Sequence, residues 1–106
     1  MALATRHICR QQLTIADTII KLSASLTALT STMREAGRFI YADIEVQTAA
    51  VRVTADGATD PVAGSVGQLW NPTQRMRIWG LHNLDNLWLL RNTTTSAVIV
   101  VECWGA

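Results

Sequence analysis

In the second half of the chain, apolar positions recur with the two-residue period of a half-buried strand. Within residues 38–46, Ile40, Ala42, Ile44 and Val46 share one face, and Arg38, Asp43 and Glu45 place charge between them. Val51 and Val53 do the same within 50–54. In 75–79, Met76 and Ile78 point one way and Arg75, Arg77 and Trp79 the other. Residues 68–70 form a short strand closed by Asn71-Pro72. Residues 84–91 and 97–104 read as two more strands, apolar on both faces. Ala97, Ile99, Val101 and Cys103 oppose Val98, Val100 and Trp104, with Glu102 as the one interruption.

The first third is less regular. Residues 6–15 alternate imperfectly, with Ile8, Leu13 and Ile15 apolar, and 18–22 is a β-branched run. Leu22, Leu26, Leu29 and Met33 fall at helical spacing, which predicts a short helix within 22–36, capped by Ser23 or Ser25 and ended by Gly37. Six Ser or Thr residues between 23 and 32 are indifferent helix formers, so an irregular strand stays open there.

Asp56-Gly57 marks a turn, 59–67 with Pro61, Gly64 and Gly67 a surface loop, and 92–96 a polar turn. Strand runs about every 10 residues are the signature of an antiparallel sandwich or barrel. The gaps are too short for the helices of a parallel sheet. The expected fold is all-β, a small antiparallel β-sandwich of jelly-roll type. Residues 16–106 form its single domain, and 1–15 form an N-terminal arm that reaches to a neighbour.

At 106 residues the chain is the size of one domain. Hydrophobic residues make up 49% and charged residues only 16%, against a usual charged share of about 25%. A small domain with so little charge is expected to have part of its surface covered by a partner. The net charge of +1 gives no reason to expect nucleic acid or an acidic membrane as that partner. Eight of the nine basic side chains are Arg, and Lys21 is the lone Lys. Arg and Trp are enriched and Lys depleted at interfaces. The two-faced strands therefore read either as central strands covered by residues 1–36 or as a subunit interface.

The first twelve residues, MALATRHICRQQ, lack an apolar core, so no secretory signal is read there. No run approaches the ~20 apolar residues of a membrane helix. Synthesis in the cytosol is the expectation. Cys9 and Cys103 are then expected as free buried thiols, with a bridge open if the first and last strands lie side by side.

No catalytic constellation is read from the sequence. His7, Cys9 and His82 are too few and too scattered for a metal site or a nucleophile pair. The Gly64-Ser65-Val66-Gly67 run is not a nucleophile elbow. Asp43 and Glu45 share a face with no apolar pocket to raise either pKa. The expectation is a protein that is not an enzyme and holds no cofactor and no metal.

Residues 49–67, AAVRVTADGATDPVAGSVG, resemble a segment of the pattern V-R-x-x-x-D-G-x-x-P-T-x-S-x-G found in a family of small tailed-bacteriophage virion proteins. The order of elements is similar from 38 to 104, including the strands at 68–70, 84–90 and 97–101. Val62 stands where the family has Thr, Asp60 precedes the Pro, and Glu102-Cys103-Trp104 replaces a tyrosine-rich close. The resemblance implies a virion β-sandwich of the head-decoration (cement) kind. Its partners would be the major capsid protein or other virion proteins and further copies of itself, often as a trimer, in a phage assembled in the bacterial cytoplasm. Minor neck, tail or fibre-base proteins are the other roles it implies. Exposed Trp also permits a carbohydrate-binding module. Trp70, Trp79, Trp88 and Trp104 are the expected buried anchors, some packing the core and others an interface. Arg52, Arg75 and Arg77 are the expected polar contacts to a neighbouring chain, with Trp79, Trp88 and Trp104 beside them.

Overall fold

The computed structural model describes residues 5–35 and 37–106. Eight strands run in chain order: β1 (Arg6–Ile15), β2 (Ile20–Lys21), β3 (Phe39–Val46), β4 (Val51–Thr54), β5 (Gln68–Trp70), β6 (Arg75–Trp79), β7 (Trp88–Arg91) and β8 (Ala97–Gly105). They pair into two four-stranded antiparallel sheets, ordered β1-β8-β3-β6 and β2-β7-β4-β5. Successive strands cross between the sheets, except β4 and β5, which pair with each other, and the result is the double Greek-key order of a jelly roll. The expected sandwich class is the observed one.

The core lies between the sheets and is supplied by the alternation read above. Ala42, Ile44 and Val46 of β3, Val51 and Val53 of β4, and Ala97, Ile99, Val101 and Cys103 of β8 are buried in one cluster. The alternation breaks at one place in β3. Phe39 is buried while Ile40 is only half-buried, because the β3–β8 register shifts between Phe39 and Tyr41. A bulge adds a residue and flips which face the chain presents before it.

The arm expected over 1–15 is corrected for its described part. Residues 6–15 are β1, hydrogen-bonded along β8 from Arg6↔Gly105 to Ile15↔Ala97. Cys9 and Ile15 enter the core while Arg10, Gln12 and Thr14 face solvent. That is the alternation of an edge strand, obscured in the sequence by a register shift between His7 and Cys9. Residues 1–4 of that expectation lie outside the described residues. β1 also lies beside β8 in the sheet, so this strand does not cover the outer face of β8.

The expected helix shrinks to α1 (Leu22–Ser25), which has no side-chain cap. Beyond it the chain continues as turns, with Leu29 N–H donating to Leu26 O at 3.1 Å and Arg34 N–H to Thr30 O at 3.1 Å. Leu22, Leu26 and Leu29 are still all buried. The helical stripe therefore reports burial correctly, although the Ser/Thr content does not sustain a continuous helix.

A second short helix, α2 (Leu81–Asp85), takes in the first two residues of the strand read over 84–91. Asp85 joins it to the α1 segment, accepting from Ser23 Oγ and from Arg34 Nη2 at 2.9 Å. These pieces close the end of the sandwich where β2 leaves and β7 enters.

The turn at Asp56-Gly57 forms as read. Gly57 has φ +70, and a Cβ there would meet Asn86 Oδ1. Asp56 accepts from the Thr59 hydroxyl and from the backbone N–H groups of Ala58 and Thr59, which hold its carboxyl at about 2, below the ordinary 3.8. The loop at 59–67 is more ordered than its glycines imply. Val62 and Val66 form a β-bridge, and Pro61 is fully buried.

The turn between β5 and β6 carries strain. Gln74 N–H donates to Asn71 O at 3.1 Å, Pro72 takes the second position, and Thr73 takes the third with φ +72. That is a type II turn, which favours Gly or Asn at its third position, and a β-branched side chain there costs about 1–2 kcal/mol. Thr73→Gly is therefore expected to raise stability by about 1 kcal/mol, read as a higher urea midpoint with unchanged slope.

Candidate functional site

The register of four strands places alternate side chains in rows across the outer face of the β1-β8-β3-β6 sheet. The first row is aromatic: His7, Trp104, Tyr41 and Trp79 are successive cross-strand partners. Four strands set about 4.8 Å apart make this row roughly 14 Å long. His7 meets Trp104 edge-on at 5.2 Å between centroids, Tyr41 stacks on Trp104 at 6.3 Å, and Tyr41 tilts against Trp79 at 4.9 Å. Trp79, at the edge of the sheet, is 55% exposed.

The second row is Arg10, Glu102, Asp43 and Arg77, and the third is Gln12, Val100, Glu45 and Arg75. Acids occupy the two central strands and Arg residues the two edges. Arg77 forks onto Asp43, Nε to Oδ1 at 2.8 Å and Nη2 to Oδ2 at 3.2 Å. Its guanidinium lies 4.1 Å from the Tyr41 ring centroid. The carboxylate of Asp43 keeps the Arg77 pKa above its ordinary value. Arg75 Nε donates to Glu45 Oε2 at 2.7 Å, and Arg10 Nε lies 3.4 Å from Glu102 Oε1. Hydrogen bonds from Gln47, then from Arg75, hold the Glu45 carboxyl below its ordinary value. Three Arg and three carboxylates thus pair off, so these six groups sum to zero charge. A shallow depression of about 150 Å³ lies among Arg10, Asp43, Glu45, Arg75 and Glu102, floored by Val100.

The charged groups of this face are engaged with one another. A general acid or base requires a carboxyl poised near neutral pH, whereas the Glu45 carboxyl is pushed further toward its ionised form. His7 lies on the outer face and Cys9 in the core, so the two do not form a nucleophile pair. His82 is on α2, beside Asn86. Among the described residues no group of three His, Cys, Asp or Glu side chains could hold a metal ion, and no helix is long and apolar enough to cross a membrane.

Four of the six expected interface residues, Arg75, Arg77, Trp79 and Trp104, share this face. The other two do not. Arg52 is on β4 in the opposite sheet, where Nε donates to Asn92 Oδ1 at 2.7 Å and Nη1 to Gly67 O at 3.1 Å. Asn92 Oδ1 also accepts from Gly64 N–H, so Arg52 helps hold the 62–67 loop onto its own chain. Trp88 is half-buried on β7, with the Lys21 ammonium 4.8 Å from its ring centroid. Trp70 is a core residue.

Tyr41, His7, Arg10 and Glu102 belong to the face and are not among the residues expected from sequence. One signal was available for their neighbours. An acid-x-acid strand, Asp43 and Glu45, matches an Arg-x-Arg strand, Arg77 and Arg75, in antiparallel order.

Comparison with known proteins finds no matching family model, no similar curated protein and no similar solved structure.

Proposed function

We propose that the protein is a non-enzymatic structural protein of a bacteriophage virion, a capsid decoration (cement) protein that docks on the major capsid protein through the outer face of the β1-β8-β3-β6 sheet. The carrying observation is the composition of that face: an aromatic row ending in an exposed Trp79 beside three ion pairs that neutralise one another. Trp, Tyr and Arg are the side chains that dominate binding energy at interfaces. Charges that already have partners can be covered without leaving an unpaired ion. The jelly roll is an architecture of viral capsid and lectin domains, which supports the reading by analogy of fold. Docking on the mature shell, with copies associating as a trimer, would stabilise that shell by mass action, and many symmetric copies would add through multivalency.

The test is the amount of this chain relative to the major capsid protein in purified virions, for the natural sequence and for Trp79→Ala combined with Arg75→Ala and Arg77→Ala. Near-equal amounts are expected for the natural chain. The triple variant is expected to lose about 2 kcal/mol or more of docking energy, roughly a 30-fold weaker association. Its own fold should lose less, because exposed ion pairs contribute only about 0–1 kcal/mol each. Unchanged incorporation would remove this face as the docking surface. A handful of copies per virion would move the protein to the neck, tail or fibre base.

The 55% exposure of Trp79, next to Tyr41 on a fold that also builds lectins, favours one second reading, a carbohydrate-binding module. Quenching of tryptophan fluorescence by sugars, lost in Trp79→Ala, would identify it.

A further inference from the structure

Cys9 and Cys103 are direct cross-strand partners of β1 and β8, the first and last strands. Both are free thiols on the inner face, Cys9 8% exposed and Cys103 fully buried. Directly opposed residues of an antiparallel pair have Cα atoms about 4.5–5.5 Å apart, inside the ~4.4–6.8 Å range that a disulfide spans. The geometry points to a latent cross-strand disulfide: an oxidant of the low-molecular-weight disulfide class converts this thiol pair into an intramolecular bond that staples β1 to β8. This goes beyond the docking reading and does not depend on it.

The order of events follows from the sheet. β1 is an edge strand, paired on one side only, and its register is already interrupted between His7 and Cys9. An edge strand opens locally at lower cost than a central one. Cys103 sits on β8, flanked by both β1 and β3, and burial, reinforced by the Cys9 thiol, pushes its pKa up. Cys9 is therefore the thiol that meets the oxidant.

In the first step the Cys9 sulfur attacks one sulfur of glutathione disulfide and the oxidant's S–S bond breaks. One glutathione leaves with the Cys9 proton, and Cys9 holds the other as a mixed disulfide. When β1 re-pairs, the Cys103 sulfur attacks the Cys9 sulfur and the mixed disulfide breaks. The second glutathione leaves with the Cys103 proton. Two electrons and two protons pass from the thiol pair to one oxidant molecule. In a reducing cytosol the pair stays as thiols, and in oxidising surroundings it closes.

The closed ring would run from Cys9 to Cys103 and so enclose most of the chain, the case in which a cross-link restricts the unfolded state most. The test exposes the purified full chain to glutathione disulfide and follows intact mass, a non-reducing peptide map and melting temperature. The expected result is a loss of about 2 Da. A peptide joining Cys9 to Cys103 and a rise in melting temperature of roughly 10 °C, reversed by a dithiol reductant, should accompany it. Cys103→Ala is expected to stop at a glutathione adduct on Cys9 with no such rise. Should that variant not fold, the peptide map of the natural chain decides alone. An unchanged mass, an adduct without the internal bond, or a covalent dimer would each overturn the proposal. So would an internal bond that leaves the melting temperature where it was.

Discussion

Gly105→Ala is expected to destabilise the fold by about 3 kcal/mol or more, enough to lower the soluble yield as well as the urea midpoint. Gly105 closes β8 and lies between Arg6 of β1 and Phe39 of β3. Both flanking strands shift register beside it, between His7 and Cys9 on one side and between Phe39 and Tyr41 on the other. The chain at Arg38 comes directly over the glycine as a result. A Cβ at 105 would stand 1.8 Å from Arg38 O and 2.8 Å from Ile8 Cδ1. The first obstacle is backbone, and that carbonyl accepts the Ala106 N–H at 3.0 Å, so it cannot retreat without breaking a hydrogen bond.

Gly64→Ala is the control. A Cβ there meets nothing within 4 Å, and its φ of +76 carries only the penalty of a left-handed residue, about 1–2 kcal/mol. Urea denaturation of the two variants separates steric closure from backbone conformation. Equal losses would mean that the approach of residue 38 is not what makes position 105 a glycine.

The same two bulges mark where the sequence stops being legible. Strands β4 and β6 are visible because their alternation is unbroken, β5 and β8 because turn residues bound short runs, and β3 is visible from Tyr41 onward. At Phe39 and Ile40 the parity reverses, and a period-2 reading has no way to register one extra residue. β1 suffers twice: Ile8 falls out of phase with Cys9, and its outward Arg10, Gln12 and Thr14 resemble a solvated tail. Helices of four or five residues, α1 and α2, are shorter than the window that a 3.6-residue period needs, so the strand expected over 84–91 takes in the last two residues of α2.

The candidate face was half legible. Trp79, Arg75 and Arg77 follow from one strand's own alternation. Their neighbours His7, Arg10, Tyr41 and Glu102 depend on strand order, which pairs residues up to about 100 positions apart and leaves no local trace. Arg52 is the opposite case. Its strand was read correctly, but its engagement with Asn92 and Gly67 is a tertiary fact.

The two faces of β8 provide the other large effect. Ile99→Ala is expected to cost about 2–5 kcal/mol, whereas the adjacent Val98→Ala should cost under about 1 kcal/mol. Ile99 is fully buried between the sheets, and Val98 is half-buried on the outer face. Truncating Ile99 removes three carbons from the packed cluster. Ile99 is held by partners on both sides, Leu13 of β1 and Val46 of β3, so the backbone cannot collapse into the void. At Val98 the lost methyl groups already touch solvent, and its N–H keeps its bond to Thr48 Oγ1 at 2.9 Å. Urea unfolding of the isolated protein gives both values from midpoints at a common slope. The same pair separates packing from docking. If copies or a capsid cover the outer face, Val98→Ala should weaken that association although the isolated fold is nearly unchanged. Ile99→Ala should instead lower the stability of the isolated chain. Similar losses at the two positions in the isolated protein would mean that the outer face of β8 is as closed as its core face, and that no partner is needed to cover it.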